Sequence, residues 1–398
     1  AVAVILAAIP LRYSAQIVAA VAPPHTSYLR HLLGEWVIAL AVFTVPTILM
    51  GALFSHIVGA LTENATGYAY GLNTLGATAA PFVFGLLAIP KMHYTGAYYL
   101  VAYAYLALLA FHLITSRGRL LWIPIAIFLI VGLDFSAPTS LSLVTPPPGW
   151  KLLDRKEGLF GAVLVIERAG LSKAEGKLQR RLQVGQRFRM GGLRAFAEHR
   201  MGHMPLLMAQ HRQRSLFLGV GTGATLGATR AYPISRVDAV ELVPEILTAL
   251  PYFSAINANI SRDPSVHFHA GDARRFVASA KQRWNLIVAD LFHPARDGAA
   301  NLFSLEHFRI LREKLEPGGI FVQWIPLYQF ATVDLRLVIR TFLAAFPEAD
   351  SFLGIYNAKT PILAIVGYRP GSGSKKAFHI GLARLTREIS HAGRDRYV

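Results

Sequence analysis

The run Gly219-Val220-Gly221-Thr222-Gly223-Ala224 follows the apolar segment Leu216–Leu218 and precedes a helical pattern. Glycines at that spacing let backbone amides approach a ligand closely. Three acids close later apolar runs: Glu241 after Val237–Val240, Asp272 after Val266–His269, and Asp290 after Asn285–Ala289. Glu241 stands 22 residues past Gly219, where an acid takes both hydroxyls of a ribose. Asp272 is placed to accept from an exocyclic adenine amine, or to cap a helix over Ala273–Ala280; the two roles are compatible. Asp290 is placed to accept a proton from an attacking amine, which holds it with a pKa of about 10 in water. His293 stands within a loop step and can share that role. The plainer alternatives are a turn cap for Asp290 and a loop histidine before Pro294. Together these stations predict a site for an adenosine-bearing ligand. The loop lacks the six-residue dinucleotide fingerprint, and the Asp272 and Asp290 stations favour a sulfonium cofactor over NAD.

Such residues meet only if strands and helices alternate. Five short apolar runs, the last over Ile320–Trp324, are separated by helical segments, among them Leu305–Leu315 closed by Pro317-Gly318-Gly319. That pattern predicts a doubly wound parallel sheet, an α/β Rossmann-like fold of the methyltransferase type. Ligands bind such sheets at the carboxyl ends of the strands, where all four stations fall. Ser351–Tyr356 and Pro361–Val366 are expected to form a closing hairpin. Upstream, Gly158–Arg168 and Lys177–Gln186 predict a small antiparallel β unit.

The chain has 398 residues and a net charge of +17, with 40 Lys and Arg, 23 Asp and Glu, and no cysteine. Disulfides, thiolate nucleophiles and cysteine-held metals are therefore excluded. Residues 1–150 hold only five basic and three acidic residues, so the remaining charge sits in the C-terminal part. Trp36–Ala60, Tyr68–Ile89 and Gly96–Thr115 are each long and apolar enough for a bilayer span, and Leu120–Leu133 is a shorter run. Ala1–Ala22 is apolar but carries Pro10 and Arg12. We expect four or five spans over residues 1–136, the first of them truncated at Ala1. A Pro-rich linker over 137–150, a β unit over 151–210, a nucleoside-binding domain over 211–370 and a basic tail over 371–398 follow. Arg187, Arg189, Arg194, Arg200, Arg212 and Arg214 form a basic stretch. It fits an anionic lipid face or acidic substrate; without interleaved aromatics it does not read as a nucleic-acid platform. His267 and His269 share one strand face but lack a third ligand nearby, so they are expected to be a surface pair and no metal is expected.

The motifs His203-Met204-Pro205, LFLGVGTGATLGA, VDAVEL, GDARRF, LIVADLFHP and LFSLEHFRILREKLEPGGIFVQWIP resemble the spermidine synthase (polyamine aminopropyltransferase) family over roughly residues 155–350. TVPTILMGALF and YGLNTLGA resemble the membrane region of its fused multi-span members. The resemblance implies a small β domain, a Rossmann domain and transfer of an aminopropyl group from decarboxylated S-adenosylmethionine to an amine. Carried over by position, Gly219, Gly221 and Gly223 form the nucleoside loop, Glu241 holds the ribose and Asp272 the adenine. Asp290 then engages the attacking amine, and Gln323 lines the acceptor pocket. Two positions depart from the family pattern. Thr222 stands where the loop usually carries an acid, and His293 stands where a second acid holds the diamine. Those departures keep open a methyltransferase using intact S-adenosylmethionine, and a non-catalytic transporter or assembly subunit. Lipid and a small nucleophilic acceptor are the expected partners, and a homo-oligomer or membrane complex fits the chain.

Overall fold

The computed structural model describes residues 3–4, 7–21, 28–115, 144, 146–168, 179–185, 188–191, 195–291, 298–355 and 357–371. The chain divides into two compact units, Ala1–Pro148 with Lys156–Ala162, and Gly149–Arg155 with Val163–Val398.

The N-terminal unit is helical. Two short helices, Ala8–Arg12 and Ser14–Val21, precede α1 (Tyr28–Gly59), α2 (Glu63–Phe82) and α3 (Ile89–Thr115). The separation expected between the second and third apolar runs falls at His93, where the chain kinks between two helical pieces. A π-helical turn over Val83–Ala88 joins α2 to α3, and only His93, at φ 63° and ψ 171°, leaves helical geometry. Pro81 and Pro90 flank that turn, and each removes an amide donor from the ladder, which accounts for the local widening. Leu32–Gly59 and Ala65–Leu108 are long and apolar enough to cross a membrane. The described residues of Ala1–Ala22 form the two shorter helices Ala8–Arg12 and Ser14–Val21, and Leu120–Leu133 lies outside the described residues. Large apolar side chains of α1 and α2 point outward: Trp36, Phe43, Ile48, Leu72 and Leu75 are all more than half exposed. Thr74 and Thr78 turn their hydroxyls back onto the carbonyls of Tyr70 and Thr74 at 2.9 Å, so these polar groups are satisfied within the helix.

The C-terminal unit holds two sheets. The smaller has the order β1-β2-β3-β4, formed by Lys151–Gly158, Gly161–Arg168, Gln179–Val184 and Phe188–Met190. Strands β2 and β3 match the expected pair. β1 was not expected, because Lys151, Asp154, Arg155, Lys156 and Glu157 hide any apolar alternation. Val163, Val165, Leu182 and Val184 of this sheet pack on Val243, Ile246, Ala249 and Phe253.

The larger sheet comprises β5 (Arg214–Leu218), β6 (Arg236–Glu241), β7 (Val266–Ala270), β8 (Trp284–Ala289), β9 (Leu315–Pro326), β10 (Ala349–Ile355) and β11 (Ile362–Tyr368). Its order is β10-β11-β9-β8-β5-β6-β7, parallel from β7 to β9, with β11 antiparallel to both neighbours. The expected strands and closing hairpin are all present. The chain moves from β5 outward to β7, then returns to β8 on the other side of β5, which creates a topological switch point between β5 and β8. Helices cover both faces. One core joins Met201, Leu206, Phe217 and Trp324; the other stacks Phe308, Phe321, Phe342 and Phe346, with Phe321 and Phe342 centroids 5.8 Å apart.

Candidate active site

The glycine loop leaves β5 at the switch point. Gly219, Gly221 and Gly223 have φ of 90°, 55° and 79°, a region that side chains with a Cβ rarely adopt. Gly221 carries a second constraint, since a Cβ there would lie 2.6 Å from the Met190 sulfur. The loop turns into the short helix Ala224–Gly227, and buried Asn257 fastens it by donating Nδ2 to the carbonyls of Thr222 and Leu250 at 3.0 Å. Thr222 is itself buried, its methyl facing Gly191 of the β unit.

Glu241 ends β6 and is buried, not solvated. Its Oε2 accepts from the amides of Val220 at 3.0 Å and Gly221 at 3.2 Å, and its Oε1 from Val243 at 3.1 Å. A carboxylate offers about four lone-pair sites, so Oε1 keeps room for one further donor such as a hydroxyl. Asp272 takes the capping role and adds an ion pair. It caps the helix Ala273–Ser279, accepting from the Arg274 amide at 2.8 Å, and its other oxygen pairs with the Arg274 guanidinium at 2.8 Å. Burial raises its pKa, but the bonds from Arg274 outweigh burial and hold it below the usual carboxylate range.

Asp290 follows β8, and its amide donates to the Leu218 carbonyl at 3.0 Å, which places it beside the glycine loop. Its Oδ1 accepts from the Leu291 amide at 2.7 Å and its carboxyl also hydrogen-bonds Thr225. Burial pushes its pKa up to about 6, helped by the negative charges of Glu198 and Glu241. It is thus both a turn cap and an acid poised near neutrality, the value suited to a general base. Gln323 on β9 is fully buried; it lies opposite Ala289 in the sheet and donates to the Trp324 carbonyl at 3.0 Å. His293 lies outside the described residues.

The crevice therefore gathers Gly219, Gly221, Thr222, Gly223, Glu241 and Asp290 at the carboxyl ends of β5, β6 and β8, with Asp272 one strand further out. Sequence reasoning missed Glu198, carried on the helix Phe196–Met208, whose charge reaches both Asp290 and the Tyr328 phenol. It missed Asn257 as well.

One expectation needs correction. His267 is exposed, but His269 is not its surface partner: its Nε2 lies 2.9 Å from Oδ1 of fully buried Asp238. Asp238 also accepts from Arg236 and from the Trp284 indole at 2.9 Å. Burial raises its pKa, and these three donors outweigh burial and lower it. Three arginines of the basic stretch have partners within the unit. Arg200 bonds the Gly354 carbonyl, Arg212 bonds the Leu206 carbonyl and stacks on Tyr232, and Arg214 pairs with Glu316. Arg187 and Arg194 lie outside the described residues. Among the described residues no group of three or more His, Asp or Glu gathers as a metal site.

Compared with known families, residues 195–352 match the spermine/spermidine synthase domain. Over that stretch the chain is similar to the spermine and spermidine synthases. Among curated proteins this domain is similar to polyamine aminopropyltransferase 2 of Aquifex aeolicus, 29% identical over 30% of this chain and 25% of that protein. It is similar to the polyamine aminopropyltransferase of Nitrosomonas europaea, 29% identical over 38% of this chain and 50% of that one. The corresponding enzyme of a Synechococcus strain is 33% identical over 35% and 46%. The chain thus spans a quarter to about half the length of these relatives. Among solved structures, the spermidine synthase of Thermotoga maritima aligns with a TM-score of 0.48 and 17% identity, over 56% of this chain and 75% of that one. The match begins at Ala195 and so takes in the helix carrying Glu198 as well as the synthase domain's glycine loop and its acids.

Proposed function

We propose that the synthase domain transfers an aminopropyl group from a decarboxylated S-adenosylmethionine-type donor to an amine. The supporting observation is the convergence of the glycine loop, Glu241 and Asp290 on one switch-point crevice. The ribose fits Oε1 of Glu241, the adenine fits the Asp272 side, and the reacting sulfonium then lies toward Asp290. The carbon beside a sulfonium is already activated, so the domain's task is to align donor and nucleophile and to remove one proton. Asp290 is largely ionised at neutral pH and accepts that proton from the acceptor ammonium. With His293 in place of the usual second acid, Glu198 supplies the further negative charge near the acceptor amine. His293 and Gln323 remain assigned to the acceptor side.

The helical unit is the membrane anchor in this reading: its outward Trp36, Phe43 and Ile48 face lipid, and the kink at His93 divides a 44-residue apolar stretch too long for one crossing. Because nucleoside sulfonium donors are made in the cytoplasm, the synthase domain is placed on that face.

A second reading, methyl transfer from intact S-adenosylmethionine, is favoured by Thr222, which leaves the loop without an acid for the aminopropyl ammonium. Product analysis with detergent-solubilised full chain separates the two. Methylthioadenosine release from decarboxylated donor in the presence of diamines is expected. S-adenosylhomocysteine from intact donor instead would replace the aminopropyl assignment by the methyl one, and neither product with any acceptor would refute transfer.

A further inference from the structure

The turn between β1 and β2 belongs to the helical unit, which takes in Lys156–Ala162. β1 carries Lys151, Asp154, Arg155, Lys156 and Glu157, and a turn after such a strand would ordinarily be built from Asn, Asp or Gly. Here Gly158 and Gly161 flank Leu159 and Phe160, and these large apolar side chains are 52% and 50% exposed. The turn is fastened to α3. His93 leaves helical geometry, and the amide of the next residue, Tyr94, donates to Oε2 of Glu157 at 2.9 Å. The Tyr94 phenol donates to the Gly158 carbonyl at 3.0 Å, and Glu157 is buried. A carboxylate at the start of a helical piece also meets the positive end of its dipole. Leu159 reaches the π-helical turn on the other side of the kink, since a Cβ on Gly85 would lie 4.0 Å from its Cδ2. Leu86 and Leu87, which follow Gly85, are more than half exposed. The outward apolar surface of the helices therefore comes up to the β1–β2 turn. Exposed Lys91, and Tyr94 beside the kink, are residue types that belong at headgroup level.

We propose that Leu159 and Phe160 form a membrane-interface anchor, entering the boundary between headgroups and acyl chains beside the kink while Glu157 and Gly158 hold the turn to Tyr94. The proposal rests on the membrane reading above and deepens it. Its occupant is lipid, because the tip adjoins the surface that faces lipid and carries no charge between Gly158 and Gly161.

The chain has no cysteine, so one introduced thiol takes a nitroxide label at a single place. Full chains carrying Phe160→Cys, Phe43→Cys or His267→Cys are labelled and placed in vesicles of phosphatidylcholine and phosphatidylglycerol. Each is probed by collision with oxygen, which enters the bilayer, and with a nickel chelate, which stays in water. The oxygen-to-nickel collision ratio at position 160 is expected to be several-fold above that at 267 and below that at 43. Adding Glu157→Ala is expected to lower the ratio at 160 and leave the ratio at 43 unchanged; no change at 160 would overturn the fastening by Glu157. A ratio at 160 equal to that at 267, with 43 still shielded from nickel, overturns the anchor and leaves the membrane reading standing. If all three positions meet the nickel chelate alike, both fall. Spin–spin broadening at 160 that dilution with unlabelled chain removes, together with a water-like ratio, assigns the tip to a second copy of the chain and overturns the lipid assignment.

Discussion

The two units of this chain use apolar side chains in opposite directions. In the synthase domain Phe321, Phe342 and Phe346 are fully buried and stack on one another, and the surface is left to charge. In the helical unit Phe43, Trp36 and Leu72 are more than half exposed, while Thr74 and Thr78 bond within their own helix. The same residue types thus make a water-excluding interior in one unit and an apolar exterior in the other. Only the first arrangement builds a crevice, since it can hold polar groups such as Asp290 at fixed places against a rigid sheet.

The contrast is broken most severely by placing the same charge in both units. Phe342→Asp buries an unpaired carboxylate and leaves a void, so it is expected to cost the synthase domain more than about 4 kcal/mol, read as loss of its melting transition by near-ultraviolet circular dichroism. Phe43→Asp should leave that transition in place. Its expected cost is about 3 kcal/mol of membrane insertion, read as increased extraction of the chain by alkaline carbonate. Equal effects of the two changes on the melting transition would erase the distinction between the units.

Within the crevice, Asp290→Asn is expected to lower transfer about 10²- to 10⁴-fold, the usual worth of a general base. The sign of the pH dependence follows from burial. Wild-type activity should fall as the pH drops through about 6, because protonated Asp290 can no longer accept, and the variant should lack that limb. A raised carboxyl pKa also means that ionised Asp290 weighs against folding as the pH rises above the ordinary carboxylate range. Asp290→Asn should accordingly melt no lower than wild type at pH 8.

The smallest expected effect separates two histidines one strand turn apart. His269→Ala removes a donor from buried Asp238 and should cost about 1–2 kcal/mol, whereas exposed His267→Ala should stay within about 0.5 kcal/mol, both by thermal melting. Because its partners hold Asp238 below its ordinary pKa, the stability it lends is present at neutral pH and is lost as the pH falls below the usual carboxylate range.

The synthase domain was legible because each buried strand is a short apolar run closed by a glycine or an acid, as at Leu218–Gly219, Val240–Glu241 and Ala289–Asp290. Sequence spacing along a parallel sheet maps directly onto neighbouring positions at its carboxyl edge. What escaped was set by tertiary contact. Asn257 holds the loop from the end of the short helix Ser254–Asn257, 35 residues downstream, and Glu198 reaches Asp290 from a helix that precedes β5. In the helical unit, hydropathy marked the apolar runs but not their joining. Lys91 and His93 fall between those runs, and the link between them is a kink at His93.

The central claim is that one purine nucleoside occupies the crevice between the glycine loop and the three acids. A structure of the full chain with 5′-methylthioadenosine tests it most directly. The account predicts density with a ribose hydroxyl within hydrogen-bond distance of Glu241 Oε1, the base on the Asp272 side, and the sulfur toward Asp290. Density bound elsewhere, or a crevice that stays empty at saturating nucleoside, would contradict it.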